Sequence, residues 1–198
     1  LAVTNDLAND LTLLFGDGLG GLSGSARFAT GIQPGRILSG DYDRDGRTDL
    51  AVLNQGPPNT VSILLSSGLG TFAPPRNIDV TGTEDMVTGD FNGDGKLDLA
   101  VSGSADVVAI LLGDGTGGFT RSTDVPLPGN KTVAKALAAA DVNGDQKLDL
   151  AVVLDSPDNR FVLFKGDGSG NFSLMSNQSV GSRPVSLVSG DLNGDGLV

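Results

Sequence analysis

An aspartate-rich motif returns along this chain about once every fifty residues, and this repetition constrains the fold more than any other feature of the sequence. The first aspartates of its four copies are Asp41, Asp90, Asp141 and Asp191, which are 49, 51 and 50 residues apart. A fixed period of this length is typical of proteins in which similar units stack on their neighbours. We therefore predict four tandem units over the 198 residues of the chain.

A second, glycine-rich segment lies between successive copies of the motif and repeats with them. Its copies end at Leu22, Phe72, Phe119 and Phe172, which are 50, 47 and 53 residues apart. The glycines superficially resemble a phosphate-binding loop, but such a loop opens a helix within a βαβ unit. Here short apolar segments lie on both sides. We therefore interpret each copy as a hairpin turn, and the recurrent phenylalanines as core residues rather than ligand-stacking ones.

Short apolar segments bounded by turn residues predict β-strands in every unit. Residues 97–101 and 107–112 are of this kind. Weaker strands are predicted before the aspartate motif, as at 36–39 and 185–189, and after the glycine-rich segment, as at 76–80. About four strands in a unit of this length is typical of one blade of a β-propeller.

One segment, residues 131–140, is rich in alanine and has the composition of a helix. When the repeats are aligned, however, it falls where the other units carry a strand. A repeat architecture requires corresponding segments to fold alike. We therefore predict a strand within residues 131–140.

The composition excludes several classes of function. There are 13 basic and 24 acidic residues, a formal net charge of −11, and neither His nor Cys. A thiol nucleophile, a Cys-ligated zinc site and a histidine general base are therefore excluded. The negative charge disfavours phosphate-rich partners, so we predict no nucleic-acid partner. The longest apolar run, residues 107–112, is far shorter than the roughly 20 residues of a spanning helix, so we predict no membrane insertion.

The motif follows the pattern D-x-[DN]-x-D-G-x-x-D, which places oxygen-bearing side chains at alternate positions of a tight loop. Half of the acidic residues, 12 of 24, lie in its four copies. Carboxylates at this density repel one another unless a cation compensates them, and hard oxygen ligands suit Ca²⁺. By analogy with other loops of this kind, we expect ligands from the side chains at the first, third, fifth and ninth positions and the carbonyl at the seventh. Glycine at the sixth position permits the positive φ of a sharp turn.

Three loops carry a complete set of predicted calcium ligands, and a fourth carries an incomplete one. The first loop (residues 41–49) offers Asp41, Asp43, Asp45, Asp49 and the carbonyl of Arg47. The second loop (residues 90–98) offers Asp90, Asn92, Asp94, Asp98 and the carbonyl of Lys96. The third loop (residues 141–149) offers Asp141, Asn143, Asp145, Asp149 and the carbonyl of Lys147. The fourth loop (residues 191–198) offers Asp191, Asn193 and Asp195 but no ninth position. Because Gln146 replaces the glycine, we expect the third site to be weaker or slightly distorted.

Other calcium loops fit the pattern less well. An EF-hand needs an acidic residue at its twelfth position, between helices. That position is occupied by Val52, Val101 and Val152, inside predicted strands. The glycine-rich calcium repeats of secreted toxins have a nine-residue period, which is absent here. The alternative that stays open is a set of metal-free Asx turns.

The motif and its period resemble the FG-GAP/VCBS-type repeats over the whole chain. In integrin α-subunits such repeats build a seven-bladed β-propeller with Ca²⁺ in D-x-D-x-D-G-x-x-D hairpin loops. The resemblance therefore implies an all-β fold, a β-propeller of four-stranded blades. Residues 1–198 would form a single array of about four blades, truncated in phase at both ends, within a larger propeller of about seven. The Gly-Ala-Pro that follows the motif in integrins is replaced here at residues 53–55, 102–104 and 153–155, which favours the broader microbial type.

The resemblance implies a calcium-binding, non-catalytic module of a secreted or cell-surface protein. Such a module would mediate adhesion or bind a protein or glycan ligand, next to further blades or domains of the same parent chain. An alternative is a lectin-like or substrate-positioning propeller attached to a secreted enzyme, although the absence of Trp weakens sugar stacking. A third hypothesis, an enzyme that uses aspartates, is disfavoured because the carboxylates recur in every unit. We therefore predict no enzymatic activity.

Overall fold

The protein is built from β-strands that pair with their neighbours in sequence. A computed structural model describes residues 1–103, 106–129, 132–155, 159–194, 196 and 198. Within these residues the regular elements are eighteen β-strands and one 3-10 helix, Asp6–Ala8. The all-β prediction is confirmed. None of the helical structure described is long and apolar enough to cross a membrane.

Contacts divide the chain into two units, and the first consists of Leu1–Val80 with Gly115–Gly117. Its first sheet contains, in spatial order, β1 (Ala2–Asn5), β2 (Asp10–Gly16) and β3 (Leu22–Ala29). Its second sheet contains, in spatial order, β4 (Pro34–Gly40), β5 (Asp49–Asn54), β6 (Thr60–Leu64) and β9 (Arg76–Asp79). Between β6 and β9 the chain forms a separate short hairpin of β7 (Ser66–Gly68) and β8 (Thr71–Phe72). All neighbouring strands are antiparallel.

The second unit consists of Thr81–Asp114 with Gly118–Val198 and also contains two sheets. One sheet contains β10 (Asp85–Gly89), β11 (Asp98–Ser102), β12 (Val107–Gly113) and β13 (Phe119–Arg121), with β14 (Val125–Pro126) paired to the beginning of β12. The other contains β15 (Ala134–Ala140), β16 (Asp149–Leu154), β17 (Arg160–Gly166) and β18 (Phe172–Ser179). Both sheets are antiparallel meanders, and β15 packs against β10.

Most of the predicted strands are confirmed. Residues 36–39, 76–80, 97–101 and 107–112 correspond to β4, β9, β11 and β12. The alanine-rich segment forms strand β15, while residue 131 lies outside the described part of the chain. This segment is a strand because it pairs with β16 and most of its residues are buried, and tertiary burial outweighs the small differences in helix propensity.

The strand predicted at residues 185–189 is wrong, because residues 184–189 carry no regular structure. The strands that precede the first three aspartate loops each pair with the strand that follows the loop: β4 with β5, β10 with β11, and β15 with β16. Among the described residues no strand pairs with residues 185–189. A strand forms only where a neighbour satisfies its backbone N–H and C=O groups.

The apolar core follows the central strands. Strands β5, β11 and β16 are buried along their whole length. Phe172 packs on the core of the second unit and meets Phe91 edge to face, with 5.7 Å between ring centroids. Phe72 packs on the core of the first unit and meets Phe28 in the same way at 5.1 Å. The core role predicted for these phenylalanines is confirmed; Phe119 is half-buried.

Three asparagine or aspartate side chains bind a backbone N–H far downstream, a feature that the sequence analysis missed. Asn9, Asp106 and Asn159 have φ values of 55, 56 and 48°. Their side-chain Oδ1 atoms accept backbone N–H groups 24, 26 and 24 residues downstream, at 2.9, 2.6 and 2.8 Å. Asn and Asp tolerate this left-handed conformation better than other side chains. The available signal was a short polar residue directly before β2, β12 and β17.

Candidate metal centre

The aspartate loops connect the first and second strands of three sheets. The first loop joins β4 to β5, the second joins β10 to β11, and the third joins β15 to β16. The glycine-rich turns join the last two strands, as between β12 and β13 or β17 and β18. In an antiparallel meander these two connections lie at the same end of the sheet. The loop and the glycine turn of one sheet are therefore neighbours.

The aspartate at the first position of each loop folds the loop around its own carboxylate. In the first three loops its two oxygens accept the backbone N–H groups of the fifth and sixth positions. For Asp41 the distances are 3.1 and 2.9 Å, for Asp90 they are 3.1 and 2.9 Å, and for Asp141 they are 3.1 and 2.7 Å. In the fourth loop Asp191 accepts the N–H of Gly196 at 2.8 Å. Asp195, predicted as a ligand there, lies outside the described residues.

The side chains at the third and fifth positions continue this pattern. Asp43, Asn92 and Asn143 each accept the N–H two residues further on, at 3.3, 3.0 and 3.1 Å. The fifth-position aspartates, Asp45, Asp94 and Asp145, accept the N–H of the seventh position at 2.9, 3.0 and 3.1 Å. These are the hydrogen bonds of Asx turns, so turn formation and ion binding use the same side chains.

The fifth-position aspartate of each of the first three loops also pairs with a cationic side chain. Asp45 pairs with Arg47, and Asp94 pairs with Lys96 at 3.0 Å. Asp145 pairs instead with Lys165, on strand β17, at 2.9 Å. Hydrogen bonding from Lys165 lowers the pKa of Asp145. Burial raises the pKa of Asp94, but hydrogen bonds from Lys96 and Asn92 outweigh it and the net shift is downward.

The ninth-position aspartate is buried and joins the loop to the third strand of its sheet. Asp98 is 0% exposed; one carboxylate oxygen accepts the N–H of Phe91 at 2.9 Å and the other accepts the N–H of Gly113 at 2.8 Å. Asp49 binds the N–H groups of Tyr42 and Ser66 at 2.9 and 2.7 Å. Each carboxylate therefore hydrogen-bonds both to its own aspartate loop and to the end of the third strand or the residues just after it.

Asp149 repeats this arrangement in the third loop, with the N–H groups of Val142 and Gly166 at 3.2 and 3.0 Å. The third strand comes very close to the loop at this point. A Cβ atom at Gly166 would overlap the carbonyl oxygen of Leu148. Glycine is required there by the space available rather than by its φ.

Carboxylates converge most closely in the first loop. Asp41, Asp43 and Asp49 each offer an oxygen within 4.8 Å of the others, and no other group of three acidic residues in the described part of the chain does so. Burial raises the pKa of Asp43, and the charges of Asp49 and Asp45 raise it further. Burial also raises the pKa of Asp98 in the second loop, and the negative charges of Asp94 and Asp90 raise it further. The hydrogen bonds from the backbone N–H groups of Gly113 and Phe91 lower this pKa, but the net shift is upward. These carboxylates are crowded in the way that a cation would relieve.

The structure brings together the side chains predicted at the first, third and ninth positions of the first loop. In the second and third loops Asn occupies the third position, so fewer carboxylates are available to meet. The fifth-position aspartates turn to their cationic partners. The part predicted for the seventh-position carbonyls of Arg47, Lys96 and Lys147 stays a prediction. Lys165 was missed because it lies 16 residues beyond the end of the third loop in sequence.

The third loop keeps the backbone of the others despite Gln146. Gln146 has a φ of 64°, against 83° for Gly46 and 77° for Gly95, and its N–H makes the same bond to Asp141. The first loop has a similar feature, because Arg44 at its fourth position has a φ of 61° where the other loops have glycine. Both side chains occupy a conformation that costs an ordinary residue about 1–2 kcal/mol.

Gln146→Gly is expected to raise the free energy of unfolding of the second unit by about 0.5–1 kcal/mol, because glycine adopts the left-handed conformation freely but loses more entropy on folding. Urea unfolding in chelator would measure the change. The matched control is Gly95→Gln in the second loop, which should lower stability by a similar amount. A loss of stability in Gln146→Gly would contradict the strain at this position.

The glycine-rich turns are hairpins, as predicted. In the turn between β17 and β18, the N–H of Asp167 bonds to the carbonyl of Asn171 at 3.0 Å. Its carboxylate accepts the N–H of Ser169 at 2.7 Å and the side-chain amide of Asn171 at 3.0 Å. The hydrogen bond from Asn171 and that from Ser169 lower the pKa of Asp167. The N–H of Gly170 reaches the carbonyl of Phe91 in the second loop at 2.9 Å.

These features define a class: an all-β protein of tandem antiparallel sheets, with an aspartate loop between the first two strands of the repeat. Residues 41–101, 90–152 and 141–198 each match the family model described as FG-GAP-like repeat. The chain therefore belongs to the FG-GAP-like repeat family, whose members are generally non-enzymatic modules and typically occur in extracellular or surface proteins. A search of curated proteins found no match.

Proposed function

We propose that the chain is a calcium-stabilised, non-catalytic β-propeller module of a secreted or surface protein. The observation that carries the proposal is the convergence of Asp41, Asp43 and Asp49 within 4.8 Å of one another in a loop that recurs in two further repeats. Three carboxylates at this distance are destabilised by mutual repulsion, and a divalent cation removes that cost.

Calcium suits the loops better than other divalent ions. The predicted ligands are carboxylate, amide and carbonyl oxygens, and Ca²⁺ accepts six to eight such ligands in flexible geometry. Magnesium requires a stricter octahedron, and zinc prefers the His and Cys that this chain lacks. The side-chain ligands are those of the four loops, namely Asp41, Asp43, Asp45, Asp49, Asp90, Asn92, Asp94, Asp98, Asp141, Asn143, Asp145, Asp149, Asp191, Asn193 and Asp195.

The ion would act through the buried ninth-position aspartates. Asp98 already links the second loop to β12 through Gly113. A cation bound to the same carboxylate would join the loop, the central strand and the third strand at one point. Because it binds only the folded loop, its binding free energy adds to folding stability.

The propeller assignment rests on the repeated sheets. Three of the sheets contain four antiparallel strands in a row, to which β14 adds in the sheet of β10–β13, and β15 packs against β10 as successive blades would. Blades of this kind have short exposed connections at both ends, which commonly carry binding sites in repeat proteins. We propose that these connections bind a protein or glycan ligand and so mediate adhesion, within a parent protein with further blades.

Calorimetric titration with Ca²⁺ after chelation tests the calcium site directly. We expect about three binding events with dissociation constants on the order of 10⁻⁴–10⁻³ M, the range of extracellular modules, and a rise in Tm. Titration with Mg²⁺ is the control and should give less heat per site. Absence of both heat and stabilisation would leave metal-free Asx turns as the explanation of the loops.

The lectin-like alternative is favoured by one cavity in the first unit that combines a mostly apolar surface with several polar side chains. It has a volume of about 290 Å³, and its lining residues include Asn9, Thr30, Thr60 and Asn77. The side-chain oxygen of Asn77 is held by the hydroxyl of the buried Ser62 at 2.7 Å. A glycan array should give saturable binding that Asn77→Ala abolishes if this alternative holds, whereas binding to a protein ligand alone would reject it.

A further inference from the structure

Asparagine stands directly before glycine in three of the four aspartate loops. The pairs are Asn92–Gly93, Asn143–Gly144 and Asn193–Gly194, whereas the first loop has Asp43–Arg44. Asn–Gly is the dipeptide most prone to spontaneous deamidation, because glycine has no Cβ to hinder attack by its own backbone nitrogen. The asparagine at this place is also the third position of the loop, where the first loop has a carboxylate.

We propose that Asn92 and Asn143 are deamidation sites, and that the first-position aspartate of each loop controls the reaction. The backbone nitrogen of Gly93 forms a bond to Cγ of Asn92 as the Cγ–Nδ2 bond breaks. The side-chain nitrogen takes up the proton lost from the backbone and leaves as ammonia. Water then opens the succinimide at one of its two carbonyls, giving aspartate or isoaspartate at position 92.

In the folded loop the backbone nitrogen of the glycine, which would attack the asparagine side chain, is engaged in a hydrogen bond. The N–H of Gly93 donates to Oδ1 of Asp90 at 2.8 Å, and the N–H of Gly144 donates to Oδ1 of Asp141 at 2.8 Å. A nitrogen held in this bond is not free to turn toward the neighbouring side chain. The corresponding bond in the fourth loop, from Gly194 to Asp191, measures 2.6 Å.

The electrophilic side chain is held as well. Oδ1 of Asn92 accepts the N–H of Asp94 at 3.0 Å. Asn143 is fixed at both ends, because Oδ1 accepts the N–H of Asp145 at 3.1 Å and Nδ2 donates to the buried Asp149 at 2.8 Å. Cyclisation therefore requires the loop to open, and the reaction reports loop opening.

The two products have opposite consequences for the loop. An aspartate at position 92 or 143 reproduces the first loop, in which Asp43 occupies that place. An isoaspartate moves the side-chain carboxyl into the backbone and lengthens it by one methylene, so the register of hydrogen bonds to Asp90 or Asp141 is lost. Deamidation thus yields two populations: molecules with aspartate, whose loop gains a carboxylate, and molecules with isoaspartate, whose loop loses its hydrogen bonds.

The test is peptide mapping by mass spectrometry during incubation at 37 °C and pH 8 in chelator, so that its outcome does not depend on calcium. In urea, Asn92, Asn143 and Asn193, which all precede Gly, should convert fastest, ahead of Asn77 and Asn177, which precede Ile and Gln. In the folded protein their rates should fall roughly tenfold or more, as expected for a hydrogen bond to a charged group. Equal rates in the folded and denatured chain would overturn the proposal.

Two single variants separate local control from general loss of structure. Asp141→Ser should raise the rate at Asn143 roughly tenfold and leave Asn92 unchanged, and Asp90→Ser should do the reverse. Circular dichroism confirms that each variant is folded. If each variant raises both rates equally, the protection comes from global folding and the control assigned to the first-position aspartate is wrong.

Discussion

Asp98→Ala is expected to lower the free energy of unfolding of the second unit by about 4 kcal/mol, because it leaves two backbone N–H groups without an acceptor. The donors are Phe91, at the start of the loop, and Gly113, at the end of β12. Chemical denaturation in chelator measures the loss without any contribution from calcium. Hydrogen exchange at the amides of Phe91 and Gly113 should accelerate first, since both are released by the substitution.

Two controls identify the cause of that loss. Asp98→Asn keeps one oxygen acceptor, so its effect should lie between those of alanine and the natural residue. Asp124→Ala removes a partly exposed carboxylate that pairs with Arg121 at 2.7 Å, and should cost less than about 1 kcal/mol. If Asp98→Ala cost no more than Asp124→Ala, the buried carboxylate would not be what joins the loop to β12.

Asp43→Asn and Asn92→Asp should have opposite effects in the presence and absence of calcium. Asp43→Asn removes a carboxylate that burial and the charges of Asp49 and Asp45 destabilise. In chelator the variant should therefore be at least as stable as the natural protein. With Ca²⁺ its first site should bind roughly tenfold more weakly, because affinity depends on the number of charged ligands.

Asn92→Asp is the reciprocal change, because it gives the second loop the carboxylates of the first. It should destabilise the protein in chelator and bind Ca²⁺ roughly tenfold more tightly at that site. Thermal melts at 0 and 1 mM Ca²⁺ measure both effects; at that concentration a site with a dissociation constant of about 0.1 mM contributes roughly 1.4 kcal/mol. Variants that shift Tm equally with and without calcium would contradict ion binding by these side chains.

The aspartate motif can serve both as a set of calcium ligands and as a set of Asx turns, so the sequence alone does not distinguish a calcium loop from a metal-free turn. The same aspartates that predict calcium ligands also form Asx turns, as Asp90 does with the N–H groups of Asp94 and Gly95. In the proposed site, the backbone hydrogen bonds give the loop its shape and the ion compensates the charge that this shape concentrates.

Several features of the site could not be predicted because they depend on strand register. The ion pair between Lys165 and Asp145 requires β17 to lie beside β16 in one particular register. The bond from Gly113 to Asp98 requires the end of β12 to meet the start of β11. The left-handed conformations of Arg44 and Gln146 were hidden as well, since neither residue type favours them.

The sequence by itself determined the repeat period, the all-β class, the alternation of aspartate loops and glycine turns, and the residues from which a cation site can be built. All of these depend on local patterns, because turn chemistry and hydrophobic periodicity act over a few residues and are copied in every unit. Only the tertiary structure decided which carboxylates converge, which turn to a lysine or arginine, and which are buried as Asp49 and Asp98 are. Those outcomes depend on contacts between strands far apart in sequence, where burial and charge, rather than local preference, set the free energy.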